Sequence, residues 1–387
     1  MNINITPSIK YIGVDDTTLD LFESQYIIPN GISYNSYLII DKKVAIMDTV
    51  DRRMSDKWWA NLRNALNGRS PDYLVVLHME PDHAGNIATA MAKYPEIKIV
   101  ASTKAIAMLP QFFENIDFSG RTIAVNEYEK LSLGSRSLQF FMAPMVHWPE
   151  VMVTYDSTDK VMFTADAFGK FGALCYDEDW VGEARRYYFN ICGKYGIPVQ
   201  AFLKKIVTLD IKHICPLHGP ILSKNLEYYI GLYDTWSKYE AESDGVFIAY
   251  ASIHGGTKVA ALKLAEMLTK KGATKVAITD LCRNDMAKAV ENAFRYGKLV
   301  VAAASYDGDV FPPMYDFLHH LKLKAYQRRR VAIIENGSWA PSAGRIMKEM
   351  LCKMKDLDII EPIVTLRSTM KQSDLLAMES LADTILK

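Results

Sequence analysis

Two α/β domains in tandem are predicted for this chain: a layered αββα sandwich over residues 1–243, then a doubly wound parallel sheet of five strands over residues 244–387. Three observations carry that prediction. At 387 residues the chain exceeds the length over which a single hydrophobic core usually grows. Short strands interspersed with helical periodicity fill the first half, whereas apolar strand and helix alternate five times in the second. Between them the run Trp236-Ser237-Lys238-Tyr239-Glu240-Ala241-Glu242-Ser243-Asp244-Gly245 turns polar and charged before an apolar strand restarts, which marks the boundary.

In the first half, residues 37–47 alternate and turn at Asp41-Lys42-Lys43, the pattern of a β-hairpin. Helical periodicity covers about residues 54–66 and an apolar strand covers 73–77. A helix after Gly85-Asn86, a strand at 97–101 and a helix from Thr103 follow, then short strands near 138–142, 152–155 and 161–164. In the second half, strands at 246–251, 276–279, 299–304, 331–335 and 359–364 alternate with helices from Gly256, from Asn284, after Pro313, from Ala343 and at the C-terminus. Parallel neighbours need such helical crossovers.

Composition narrows the function classes. With 45 basic and 45 acidic side chains the net charge is zero, which offers no electrostatic footprint for nucleic acid or an anionic membrane. Cys175, Cys192, Cys215, Cys282 and Cys352 lie far apart without a C-x-x-C pair, so neither a disulfide framework nor an appended rubredoxin or iron–sulfur module is expected. No basic-then-apolar leader and no apolar stretch of membrane-spanning length is visible. A soluble, cytoplasmic protein acting on a small molecule is the expectation.

The chemistry is concentrated directly after the strand at 73–77, in His78-Met79-Glu80-Pro81-Asp82-His83. Four metal-ligand side chains in six residues exceed what one ion readily uses, so a two-metal centre is predicted. A polar turn with two ordinary histidines is the plainer reading, and the density of ligand types after a buried strand counts against it. Carboxylates mixed with imidazoles suit iron or manganese better than zinc. Three more candidates stand in loops beyond strands: His147 in Pro144-Met145-Val146-His147-Trp148-Pro149, Asp166 in Thr164-Ala165-Asp166-Ala167, and His218 in Cys215-Pro216-Leu217-His218-Gly219-Pro220. Singly, each reads as a turn or capping residue. His213, beside the strand that leads to His218, is read as structural.

In the second half, the first strand ends in Ser252-Ile253-His254-Gly255-Gly256-Thr257 and enters a helix. Small residues let the backbone approach a phosphate, and the helix start adds unpaired N–H groups. Neither G-x-G-x-x-G nor a Walker A pattern is present, which disfavours a dinucleotide or ATP. This loop resembles the phosphate loop of flavodoxins, and two later strand-end loops, Ser305-Tyr306-Asp307-Gly308 and Asn336-Gly337-Ser338-Trp339-Ala340, each carry an aromatic where that resemblance implies a stacked flavin ring.

The metal loop resembles the H-x-H-x-D-H signature of the metallo-β-lactamase fold, with Glu80 where its zinc hydrolases carry a second histidine. That substitution is the mark of the flavodiiron proteins, and His147, Asp166 and His218 follow in the family's order. The resemblance spans essentially the whole chain. It implies a metallo-β-lactamase-like domain followed by a flavodoxin-like domain. It also implies two iron ions with a bridging oxygen species: one held by His78, Glu80 and His147, the other by Asp82, His83 and His218, with Asp166 between them. The three later loops would surround FMN, with His254 and Tyr306 departing from the commoner residues.

The activity implied is reduction of dioxygen to water, or of nitric oxide to nitrous oxide, in a pocket for which Tyr26, Trp148, Tyr187, Tyr188 and Phe189 are candidate walls. Electron counting agrees: a ferrous pair and a reduced flavin together hold the four electrons that dioxygen needs. A separate rubredoxin or a reduced deazaflavin coenzyme would be the donor. A head-to-tail homodimer, or a dimer of such dimers, would bring each FMN to the partner's metals. Two rivals remain: a dinuclear zinc hydrolase with a flavodoxin-like accessory domain, and a non-catalytic electron carrier or oxygen sensor.

Overall fold

The structure, a computed structural model, describes residues 4–387. Two compact units divide between Asp234 and Thr235. That division falls earlier than the expected 243/244, inside the helix Leu226–Ser237. Sequence character changes after the helix, but packing partners change within it. Tyr233 stacks on Phe168 at 4.2 Å in the first unit, whereas Trp236 donates to Glu242 at 2.9 Å in the second.

Two mixed sheets form the first unit. One is built in chain order from β1 (Ile9–Tyr11), β2 (Tyr37–Ile40), β3 (Val44–Met47), β4 (Tyr73–Val76), β5 (Lys98–Ser102) and β6 (Thr122–Val125). The other takes β7 (Lys130–Ser132), β8 (Ser137–Met142), β9 (Met152–Asp156), β10 (Val161–Phe163) and β11 (His213–Cys215). Every residue of β3, β9 and β10 is buried, as continuous apolar runs in a covered sheet should be. Tyr37 on β2 meets Phe163 on β10 with ring centroids 5.3 Å apart, so the sheets share one core. The helix Ser55–Leu66 buries Trp58, Trp59, Leu62, Ala65 and Leu66, an apolar stripe at helical spacing.

Several elements differ from expectation. Residues Pro81–Ala84 form a short helix rather than an open loop, because Pro81 at its first position is pre-set for helical φ. The helices Trp180–Ile191, Gly196–Ile206 and Leu226–Ser237 were not anticipated. The first is started by the Asp179 side chain accepting from the Gly182 N–H.

The second unit is a parallel sheet of β12 (Ser243–Ala251), β13 (Val276–Asp280), β14 (Tyr296–Tyr306), β15 (Gln327–Asn336), β16 (Lys355–Ile359) and β17 (Val364–Leu366). Its order is β13-β12-β14-β15, with β16 and β17 sharing the last place along β15. The strand expected at 359–364 is instead the gap between β16 and β17. Pro362 has no N–H for the ladder and interrupts the edge there. The order reverses at β12, so the loop after it opens at the switch point where such sheets hold ligands. Among the described residues no helix is long and apolar enough to cross a membrane.

Candidate functional site

Loops at the strand ends of the first unit aim seven side chains at one point. Asp48, in the left-handed region after β3, accepts from Leu77 N at 2.7 Å and fixes the turn that presents His78. Thr49 grips the start of the next segment through the His83 carbonyl, at 2.9 Å from its N–H and 2.6 Å from its hydroxyl. His147 lies in the loop joining β8 to β9, closed by Ala143 N donating to Val151 O at 2.9 Å. Asp166 follows a tight turn at Ala165, whose carbonyl accepts from Leu217 N at 2.8 Å, so the loops bearing Asp166 and His218 are tied together.

The ligand candidates form two groups, His78, Glu80, His147 and Asp166 in one, and Asp82, His83 and His218 in the other. In the first, Nε2 of His147 lies 3.0 Å from Glu80 and 3.0 Å from Asp166 Oδ2, while Nε2 of His78 lies 3.2 Å from Glu80 and 3.4 Å from that same oxygen. In the second, Nε2 of His83 and of His218 are 3.1 Å apart, and each is 3.3 Å from Asp82 Oδ2. Asp166 turns its other oxygen, Oδ1, toward this pair, 3.2 Å from His83 and 3.8 Å from His218. One carboxylate thus faces both groups, one oxygen to each.

The site fits metal ions by its own bonding. Both oxygens of Asp82 and of Asp166 are buried without an aligned hydrogen bond. Protein interiors rarely leave such atoms unmet unless an ion or water completes them. The Nδ1 atoms of two histidines are occupied from behind, His78 by Glu150 Oε1 and His218 by the Ser33 carbonyl, both at 2.7 Å. Those bonds put the proton on Nδ1 and leave the Nε2 lone pair facing inward, as metal-ligating histidines require. Four imidazoles with three carboxylates make the mixed nitrogen and oxygen set of iron or manganese sites.

Electrostatics agree. Burial alone would lower the His147 imidazole, but Asp166 and Glu80 outweigh it and push its pKa up to about 9. Against burial, His78 is raised by Asp166, Glu150 and Glu80, and His218 by Asp82 and Asp166. Burial would raise Glu80 and Asp166, yet the facing histidines hold both below the ordinary carboxylate range. Such a cluster takes up protons or metal cations in exchange. Asp48 differs: burial pushes it up to about 8, against the Leu77 and His78 N–H groups.

A cleft of about 250 Å³ reaches Glu80 and Asp82 past Phe22, Glu23, Tyr34 and Arg53. None of the expected wall residues lines it. Trp148 packs edge-on to His78 at 5.2 Å, and Tyr187 lies 5.6 Å from the His218 ring, so these two back the histidines from the protein side. The Tyr187 hydroxyl is buried with no hydrogen-bond partner among the described residues. Tyr26 turns away and donates to Asn190 O at 3.1 Å, while Tyr188 and Phe189 pack on each other at 5.1 Å as core. His213 stands apart with Ser223 Oγ at 2.7 Å from Nδ1. Sequence reasoning missed Asp48, Glu150 and Phe22, and reached Tyr34 only as part of the segment 29–37 that resembles its family counterpart; none of the three missed residues carried a local signal.

In the second unit, a cavity of about 680 Å³ opens at the switch point. It is lined by Ser252, Ile253, His254, Gly256 and Thr257 from the loop after β12, and by Ser305, Tyr306, Asp307 and Gly308 from the loop after β14. Asn336, Gly337, Ser338, Trp339 and Ala340 complete the expected set. Gly255 does not line it. It sits at φ +91°, reverses the chain before the helix Gly256–Lys270, and donates to Ser252 Oγ at 3.1 Å. Tyr306 is 46% and Trp339 88% exposed, so both rings are open to stack on a planar ligand. Ser368 and Thr369 also line the cavity and were not anticipated.

Comparison with known proteins agrees with this geometry. A family model described as ODP family beta lactamase matches residues 32–219. A nitric oxide reductase of Moorella thermoacetica is 30% identical over 391 residues, covering 96% of this chain and 95% of that protein. Among solved structures, rubredoxin oxygen:oxidoreductase from Desulfovibrio gigas superposes with a TM-score of 0.92 at 22% identity, over 100% of this chain and 98% of that one. The flavodiiron protein of Giardia intestinalis does so with a TM-score of 0.92 at 22% identity, over 100% and 97%. At that identity the two structural likenesses speak for the fold.

Proposed function

The chain belongs to the flavodiiron protein family, and from that membership we propose that it is an oxidoreductase reducing dioxygen to water or nitric oxide to nitrous oxide. The observation that carries the reading is Asp166, with Oδ2 toward His78 and His147 and Oδ1 toward His83 and His218. One iron would be held by His78, Glu80 and His147, the other by Asp82, His83 and His218, with Asp166 bridging. FMN would occupy the cavity between the loops after β12, β14 and β15, and we take residues 1–243 as the metal domain and 244–387 as the flavin domain on the change in sequence character. When bound, the iron pair and the flavin supply the electrons, two from each.

The chain's own residues do the rest. Glu150 and Ser33 hold two ligand imidazoles in the tautomer that points Nε2 inward. Phe22 and Trp148 keep the surroundings apolar, which strengthens every charge interaction within. Tyr187, packed against the His218 ring with its hydroxyl uncommitted, would offer the site a neutral hydrogen-bond donor. The zinc hydrolase reading loses ground, because the relatives are named as reductases and the flavin-sized cavity has no part in hydrolysis.

For partners, we take rubredoxin or a reduced deazaflavin coenzyme as the donor and a head-to-tail homodimer as the working assembly. The cytoplasm is the compartment we assign, supported by five cysteines that are all free. Anaerobic stopped-flow mixing of the reduced, iron- and FMN-loaded protein with dioxygen, and separately with nitric oxide, tests the activity. Rapid reoxidation by at least one gas is expected. Purified protein that contains zinc, lacks a flavin band and reacts with neither gas overturns it.

A further inference from the structure

We propose that the loop Arg367-Ser368-Thr369 after β17 is a fourth wall of the flavin cavity, and that the Ser368 and Thr369 hydroxyls bind the phosphate of FMN. This rests on the FMN reading of the cavity. The three loops recognised from sequence follow β12, β14 and β15; this one follows the last strand of the sheet.

The interruption of the fifth strand at Pro362 accounts for its position. Because the edge restarts as β17, Leu366 pairs level with Asn336 at the end of β15, and the loops after β15 and β17 emerge side by side. Asn336 fastens them: its Nδ2 donates to Ser368 O at 2.8 Å, and its Oδ1 accepts from Ser368 N at 2.9 Å. Ser338 Oγ and Ser368 Oγ lie 2.6 Å apart, and Ser368 itself turns back at φ +64°.

The fastened loop presses on the start of the helix Gly256–Lys270. A methyl group on Gly256 would stand 2.5 Å from the Ser368 carbonyl oxygen and 3.0 Å from Asn336 Nδ2, so only glycine permits this approach. The first N–H groups of that helix have no intrahelical acceptor and favour an anion. Ser368 adjoins that spot, and Thr369 follows it along the cavity wall.

Charge composition makes hydroxyl donors important here. No lysine or arginine lines the cavity, so a phosphate there must be met by N–H and O–H donors. Ser305 Oγ accepts from Ser342 N at 2.9 Å and Ala343 N at 3.1 Å, which holds it against the start of the far helix. The Thr369 hydroxyl has no protein partner among the described residues, and Thr369 lines the cavity.

The test titrates full-length chain, freed of flavin, with FMN and with riboflavin, reading the change in flavin fluorescence. For the double substitution Ser368→Ala and Thr369→Val, FMN affinity about tenfold weaker with riboflavin affinity unchanged is expected, as for loss of one or two hydrogen bonds to a charged group. Thr369→Ser, which keeps the hydroxyl, should bind FMN like the parent. An equal loss for both flavins, unchanged FMN affinity, or a loss in Thr369→Ser as large as in Thr369→Val overturns the proposal. A parent chain that binds neither flavin overturns the FMN reading itself, a result distinct from any behaviour of the loop variants.

Discussion

Glu150 stands directly behind His78, with its Oε1 2.7 Å from the imidazole Nδ1 and 2.9 Å from the Met79 N–H. Both side chains are wholly buried. Burial would raise the Glu150 carboxyl, but the His78 bond and the Met79 N–H hold it below its ordinary range, so it meets the imidazole as an anion. An anionic acceptor at Nδ1 fixes the tautomer, orients the ring and makes Nε2 a stronger ligand.

Removal of that partner should therefore weaken metal binding without touching a ligand. Glu150→Ala is expected to lower iron affinity by about 10- to 100-fold, the usual effect of losing such an outer partner. Glu150→Gln, which still accepts from Nδ1–H, should lie between. Competition with a chelator, read as iron retained per chain, measures both. Retention by Glu150→Ala equal to the parent's would remove the role assigned to Glu150.

Asp166 gives a sharper outcome. In Asp166→Asn one oxygen remains and the other position becomes NH2, which donates and cannot ligate. Whichever group meets the NH2 loses its metal, so occupancy should fall from two irons per chain toward one, and four-electron turnover should stop. Metal analysis with single-turnover reoxidation checks this. Two irons retained per chain would mean that Asp166 does not bridge.

These two residues also mark what the sequence makes legible. Asp166 was readable because strand ends in layered α/β folds converge, and a carboxylate just past a buried strand is already near the point of convergence. His78 to His83 were readable because the candidate ligands are neighbours in the chain. Glu150 acts across 72 residues, and an acid after Trp148-Pro149 looks like any polar turn until the start of β9 is seen to meet the end of β4, where Met152 N donates to Leu77 O. Asp48 is hidden in the same way, since its function is to accept backbone N–H bonds from a segment 29 residues away. The fifth strand was misplaced because hydrophobicity at 359–364 outweighed the one proline that breaks it, and with the break went the loop that carries Ser368.

Tyr187 carries the third prediction. Its ring lies 5.6 Å from that of His218, its hydroxyl is buried with no partner among the described residues, and burial followed by the Asp166 charge raises its pKa well above the ordinary value, so it stays a neutral donor. Tyr187→Phe should keep iron and FMN content and slow reduction of the gas about tenfold, the scale of one donor to developing charge. Unchanged turnover at full metal loading would make Tyr187 a packing residue only.

Asp16 links stability to pH away from the metals. Burial would raise its pKa, but Thr18 through hydroxyl and N–H at 2.7 and 2.8 Å, and Arg53 at 3.0 Å, bring it below the ordinary value. A depressed folded-state pKa adds stability that is full above the unfolded value of about 3.9 and lost as pH falls through the folded one. Asp16→Asn should thus lower the urea midpoint at neutral pH, and the gap from the parent should close below about pH 4. A gap independent of pH across that window would exclude the linkage.

Arg329 makes the strongest demand on the second unit. It is 3% exposed, and no carboxylate accepts from it; five carbonyls do. Those of Phe294 at 2.5 Å and Tyr296 at 2.8 Å belong to the end of the helix Met286–Arg295, where carbonyls lack intrahelical donors. The carbonyl of Tyr239 at 2.6 Å belongs to the segment that enters the sheet. A single guanidinium therefore closes a helix end and anchors the start of the domain. Met fills the volume but leaves buried carbonyls unmet, at a cost of about 3 kcal/mol. Arg329→Met should lower the unfolding midpoint of the flavin-binding unit, followed by flavin release on heating, while iron content stays at the parent's level. Lys, with one cationic centre in place of a planar fork, should recover only part of the loss. A variant in which flavin release is unchanged would show that water replaces the guanidinium at little cost.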